Sequence, residues 1–170
     1  MVAELERAEV ARDVQQVADL TTMAREIRDQ ITPMVAAMTP EAAAGQKPDA
    51  AQVGRWQQDM GRIEAKFDDP PSGTTATNVA RGGLRNAVQL VRLSVDAYAA
   101  GLGAPAGQQH QWLAMAERQG VLAVTAWSVA ATQLDQINID AGHGHQHVHL
   151  ELGQHEGGFT ADHESEGPGK

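Results

Sequence analysis

The stretch "LRNAVQLVRLSVDAYAAGL" (Leu84–Leu102) decides how the rest of the chain is read. Its apolar residues fall at Leu84, Val88, Val91, Val95, Tyr98 and Leu102, in alternating steps of four and three. At 3.6 residues per turn that spacing gathers them into one stripe along a helix, whereas a strand would throw them onto both faces. The stripe predicts a helix over about 76–102. Gly82-Gly83 implies a break, a frayed turn or a neighbour passing close by, since each glycine costs up to about 1 kcal/mol inside a helix. Gly101 and Gly103 read as its end, and Pro105 fits the opening turn of the next helix.

The same spacing recurs on both sides. In the first segment it runs through Val10, Val17, Leu20, Ala24, Ile27, Ile31, Met34 and Met38, with Asp13 interrupting, and predicts a helix over about 4–38. Pro33 removes a backbone donor and crowds the preceding turn, so a kink is expected near it. Asp49 can cap a second, shorter helix over about 49–67, with Gln52 in capping-box position. Its seam is Val53, Trp56, Met60, Ile63 and Phe67, and "DDPPSG" (Asp68–Gly73) stops it. A fourth helix over about 105–140 is read along Trp112, Met115, Gln119, Leu122, Ala126, Ala130, Leu134 and Ile137. The expectation is an all-α, antiparallel four-helix bundle over residues 1–141, kinked near Pro33 and short in helix two. Unequal helix lengths predict that part of helix one or four buries itself against another chain.

Composition narrows the function classes. The chain of 170 residues has a net charge of −9, which disfavours nonspecific nucleic-acid binding, since that requires Lys and Arg against phosphates. Cysteine is absent, which excludes disulfides, thiolate metal sites and thiol nucleophiles. The opening "MVAELERAEVARD" is acidic and helix-forming, unlike a leader. The longest largely apolar run, "VLAVTAWSVAA" (Val121–Ala131), is far short of the roughly 20 residues that span a bilayer. A cytoplasmic protein is expected, or a component of a virion or other protein particle.

From Gly142 the composition changes. Six of the seven histidines lie in residues 142–170, with five acids, one lysine and several glycines. The expectation is a mostly extended or disordered tail, with a possible short strand over 145–152. On an extended chain His143, His145, His147, His149 and Glu151 share one face, and Val148, Leu150 and Leu152 the other. The first set, with His155, forms the candidate ligands for zinc, nickel or copper. Alternate residues of a flat strand stand nearly 7 Å apart, so such a site requires wrapping or a second chain. No cofactor is otherwise required. Protonating six imidazoles would also turn the tail from about −4 to about +2 and draw it toward the acidic body. The second set could pair with another chain.

Catalytic groupings are lacking in the sequence. No Glu-x-x-His pair falls in the four helices, and His110 stands alone before the tail. "GLGAPAG" (Gly101–Gly107) follows a helix and lacks the Gly-Lys-Ser/Thr of a phosphate loop. Arg81, Arg85 and Arg92 share one side of helix three and are candidates to receive an acidic partner or the tail. The expected activity is therefore non-catalytic: a bundle that forms a homo-oligomer or binds a protein partner, with no nucleic acid and no membrane. The alternative is a metal-handling protein acting through its histidines.

Overall fold

A computed structural model describes residues 2–39 and 47–150. It contains four helices in chain order: α1 (Val2–Met38), α2 (Ala50–Ala65), α3 (Thr75–Gly103) and α4 (Ala106–Asp140). No strand occurs among the described residues. Asp49 caps α2, its Oδ1 accepting from the Gln52 N–H at 2.8 Å, and Thr74 caps α3 by accepting from Thr77 N–H at 3.2 Å. These side chains satisfy backbone donors that a helix start leaves open. α1 continues as a helix through Pro33.

The cross-links give the direction of each neighbour. α2 runs against α3, because Gln57 bonds Asp96 at 2.7 Å while Glu64, further along α2, pairs with Arg92 at 2.9 Å. α3 and α4 form the most extensive pairing and also run opposite ways: Gly83 lies against Ala130, and Gly101 against Leu113. α1 runs beside α3 and opposite to α4, from Gln16, which donates to Ser72 O at 2.6 Å, to Met38, which meets Ser94. The four helices form a bundle around one continuous core. Val53, Trp56, Met60, Ile63 and Phe67 are all buried, as are Leu84, Val88, Val91, Val95 and Tyr98. Each such side chain contributes about 1.5–3 kcal/mol of burial at most.

Two expectations need correcting. The α1 seam is buried from Val17 to Met38, but its first three turns stand clear of the body and leave Leu5 and Val10 exposed. On α4 the buried line is Ala116, Gly120, Ala123, Trp127, Ala130 and Leu134. Trp112, Met115 and Leu122, read from the sequence as seam residues, are exposed. The physical reason is the α3 surface opposite, which offers Ala80, Gly83, Ala87, Ser94 and Gly101. Small side chains on both helices let the backbones approach closely, so dispersion contacts replace the bulk that larger residues would bring. Ser94 fastens this seam by donating its hydroxyl to Ala116 O at 2.6 Å.

Candidate functional site: the histidine segment against α4

The C-terminus of α4 is built to send the chain back along itself. Gly142 has φ +79°, and the bonds Gly142 N–H to Ile139 O (3.0 Å) and His143 N–H to Asn138 O (2.9 Å) close a Schellman motif. Gly144, at φ +69°, turns the chain a second time. Both conformations are open to glycine and strained for other residues.

Residues 145–150 then run against the bundle without helix or strand. Their backbone groups find side-chain partners rather than a sheet. The Gln146 N–H donates to the Asp135 carboxylate, and the Val148 carbonyl accepts from the Trp127 indole N–H at 2.6 Å. Buried Asn138 links three elements: its Nδ2 donates to Thr21 Oγ1 of α1 and to Leu134 O, both at 2.8 Å, and its Oδ1 lies 3.2 Å from His143 Nδ1. From α1, Arg25 bonds the Gln146 side chain and Arg28 donates to His147 O. Val148 is fully buried and belongs to the core, with Leu150 partly buried against it.

The opposite side of the segment is a row of imidazoles. His145 and His147 stack with ring centroids 6.0 Å apart, and His147 and His149 follow at 6.5 Å. Asp135 is buried and its carboxylate bonds His145 Nδ1 at 2.9 Å. Burial alone would raise its pKa. The Gln146 N–H, the bond to His145 and the charges of His145 and His147 outweigh that and hold it below the ordinary aspartate value. The His149 pKa is lowered as well, which in a histidine disfavours the charged form: burial, then repulsion from His147, outweighs a smaller pull from Asp135. Its Nε2 is sealed from solvent without a partner.

Among the described residues no group of three or more His, Asp or Glu side chains is placed to hold a metal ion. The row lies along the chain rather than converging. Glu151, Leu152 and His155 lie outside the described residues. Of the arginines named from the sequence, Arg81 is largely buried and donates to Asn78 Oδ1 and Pro71 O, while Arg92 is held by Glu64 and Asp96. Arg85 is exposed. The described part of the tail meets Arg25 and Arg28 instead, and Val148 faces its own bundle rather than another chain. Asp135 and Asn138 were not singled out by sequence reasoning. Their signal is that they fall at i+8 and i+11 from Trp127, on the side of α4 that Ala131 and Leu134 also occupy.

No helix among the described residues is long and apolar enough to cross a membrane. No protein family, curated protein or solved structure matches the chain.

Proposed function

We propose that this chain is a non-catalytic helical-bundle protein that acts by assembly, with another copy of itself or with a protein partner. The observation that carries the reading is the position of large aliphatic side chains on the outside of α4, with Leu122 at 56% and Val129 at 53% of full exposure, while the first half of its inner line is Ala116, Gly120 and Ala123. Exposed apolar side chains clustered on one helix mark a surface that gains from being covered. The histidine segment serves in this reading as a strap that closes the groove between α1 and α4.

Sedimentation of the full chain over a wide concentration range tests it. The reading expects a mass that grows with concentration in the presence of a chelator. A single-chain mass throughout would refute self-assembly.

A second reading, binding and buffering of zinc, nickel or copper, draws support from the row of His145, His147 and His149. Neutral imidazole is the commonest biological ligand for these ions, and a second chain or further residues would have to complete the coordination. It requires sub-micromolar zinc binding by titration calorimetry that disappears when residues 142–170 are removed.

A further inference from the structure

We propose that a cavity between α1, the α2–α3 connection and α3 binds a free amino acid of about the size of alanine, held by Arg81 through its carboxylate. The cavity measures about 140 Å³. At about 30 Å³ for each water-sized group it admits about five of them, and bonded atoms pack more closely than waters. The buried part of its lining is Gln16 and Leu20 of α1 and Arg81 of α3, with Met23 half-buried beside them. The exposed part is acidic: Asp19, Asp68 and Asp69 stand around the mouth with Lys66. Asp69, at φ +50°, turns the connection there, and Pro70 and Pro71 stiffen it as a wall.

Arg81 is the group that calls for a ligand. It is 9% exposed, and its Nη1 makes both of its bonds, to Asn78 Oδ1 at 2.8 Å and to Pro71 O at 3.3 Å. Nε and Nη2 bond to none of the described residues, and no carboxylate among them pairs with the guanidinium. Burial lowers its pKa with no charge to counter it. A buried charge left unpaired is costly, and a carboxylate is the partner whose two oxygens match the guanidinium fork. Arg92 on the same helix shows the contrast, since Glu64 and Asp96 already hold it. Gln16 adds a second unmet group to the lining. Its Nε2 donates to Ser72 O at 2.6 Å, whereas Oε1, closed off from water, has no donor.

The charges around the cavity select the ligand. A plain anion drawn to Arg81 must pass Asp19, Asp68 and Asp69, and Lys66 at the mouth is tied to Glu26 at 2.7 Å. A plain cation drawn to those carboxylates meets the Arg81 charge behind them. A zwitterion satisfies both, with its carboxylate on the buried guanidinium and its ammonium toward the Gln16 oxygen and the acidic mouth. Leu20 and Met23 offer apolar surface to a short side chain.

The test is a nuclear magnetic resonance titration of the isotope-labelled full chain with alanine, acetate and ethylammonium, read at the Met23 methyl and the Arg81 Nε–H. The proposal expects saturable shifts with alanine at a dissociation constant of about 1 mM or below, and at least about ten-fold weaker binding of the other two. Met23→Trp fills the cavity from a half-buried position and should abolish the shift at Arg81. Arg81→Lys keeps the charge but loses the fork, and alanine read at Met23 should bind at least about ten-fold more weakly. Circular dichroism verifies that both variants keep their helices. Acetate binding as tightly as alanine would overturn the zwitterion. An unchanged titration in Met23→Trp would put the binding elsewhere and overturn the cavity. No saturable shift with alanine up to about 50 mM would overturn the proposal as a whole and leave the assembly reading untouched.

Discussion

Gly83 of α3 lies so close to Ala130 of α4 that a Cβ built on the glycine would stand 3.0 Å from the alanine Cβ, whereas the adjacent Gly82 faces open space. Neighbouring glycines therefore do opposite things. Gly83→Leu is expected to destabilise the bundle by about 1–3 kcal/mol, because the helices must part to admit it. Gly82→Ala is expected to stabilise it by up to about 1 kcal/mol through helix propensity alone. Thermal unfolding of both variants checks the register, and equal effects at the two positions would contradict it.

Asn138 joins α1, α4 and the returning chain through Thr21, Leu134 O and His143. Asn138→Ala leaves the Thr21 hydroxyl and the His143 ring without their partner inside a buried network. The expected cost is about 1–3 kcal/mol. Urea unfolding measures it, and a loss below experimental error would show that water replaces these bonds.

The Trp127 indole N–H bonded to Val148 O reports whether the strap is seated. Val148→Ser removes a buried aliphatic side chain and substitutes an unpaired hydroxyl, so undocking should gain about 2 kcal/mol or more relative to docking. The Trp127 indole resonance should move toward its solvent-exposed position, with faster hydrogen exchange at the Gln146 amide. The helices themselves should keep their protection. Global unfolding of the variant would mean that strap and bundle are one cooperative unit.

Acid should loosen the strap in two stages. The His149 pKa is lowered by burial and by His147, so the released segment binds a proton more readily than the docked one. Docking is then fully supported above about 6.5, the ordinary histidine value, and weakens as the pH falls below it. The Asp135 pKa is also lowered, so its contribution holds above 3.8 and is lost as the pH falls through the docked value. The Trp127 resonance followed against pH should show both stages, and His149→Leu should abolish the first alone. A first stage that persists in that variant would assign it to another group.

How much of this was legible in the sequence depended on what each helix buries. α2 and α3 bury large side chains such as Trp56, Met60, Leu84 and Val91, so steps of three and four marked their inner faces directly. α4 buries Ala116, Gly120 and Ala123 and exposes Leu122, so a reading weighted by hydrophobicity chose the wrong side of its first half. Gly101 and Gly103 marked the end of α3, but the close crossing of Gly101 with Leu113 was not legible from them. The every-second-residue pattern of the histidines placed His145, His147 and His149 in one row. That the segment lies against α4 could not be read locally, because the anchors Asp135, Asn138 and Trp127 belong to a helix and act only once Gly142 and Gly144 have reversed the direction.

The central claim, that the exposed aliphatic side chains of α4 are covered by another copy of the chain, is tested most directly by isotope-filtered nuclear Overhauser spectroscopy on a mixture of labelled and unlabelled full chain. The account predicts contacts between chains from the methyl groups of Leu122 and Val129. Contacts between chains that arise only from α1 or the histidine segment, with the Leu122 methyls seeing solvent alone, would contradict it.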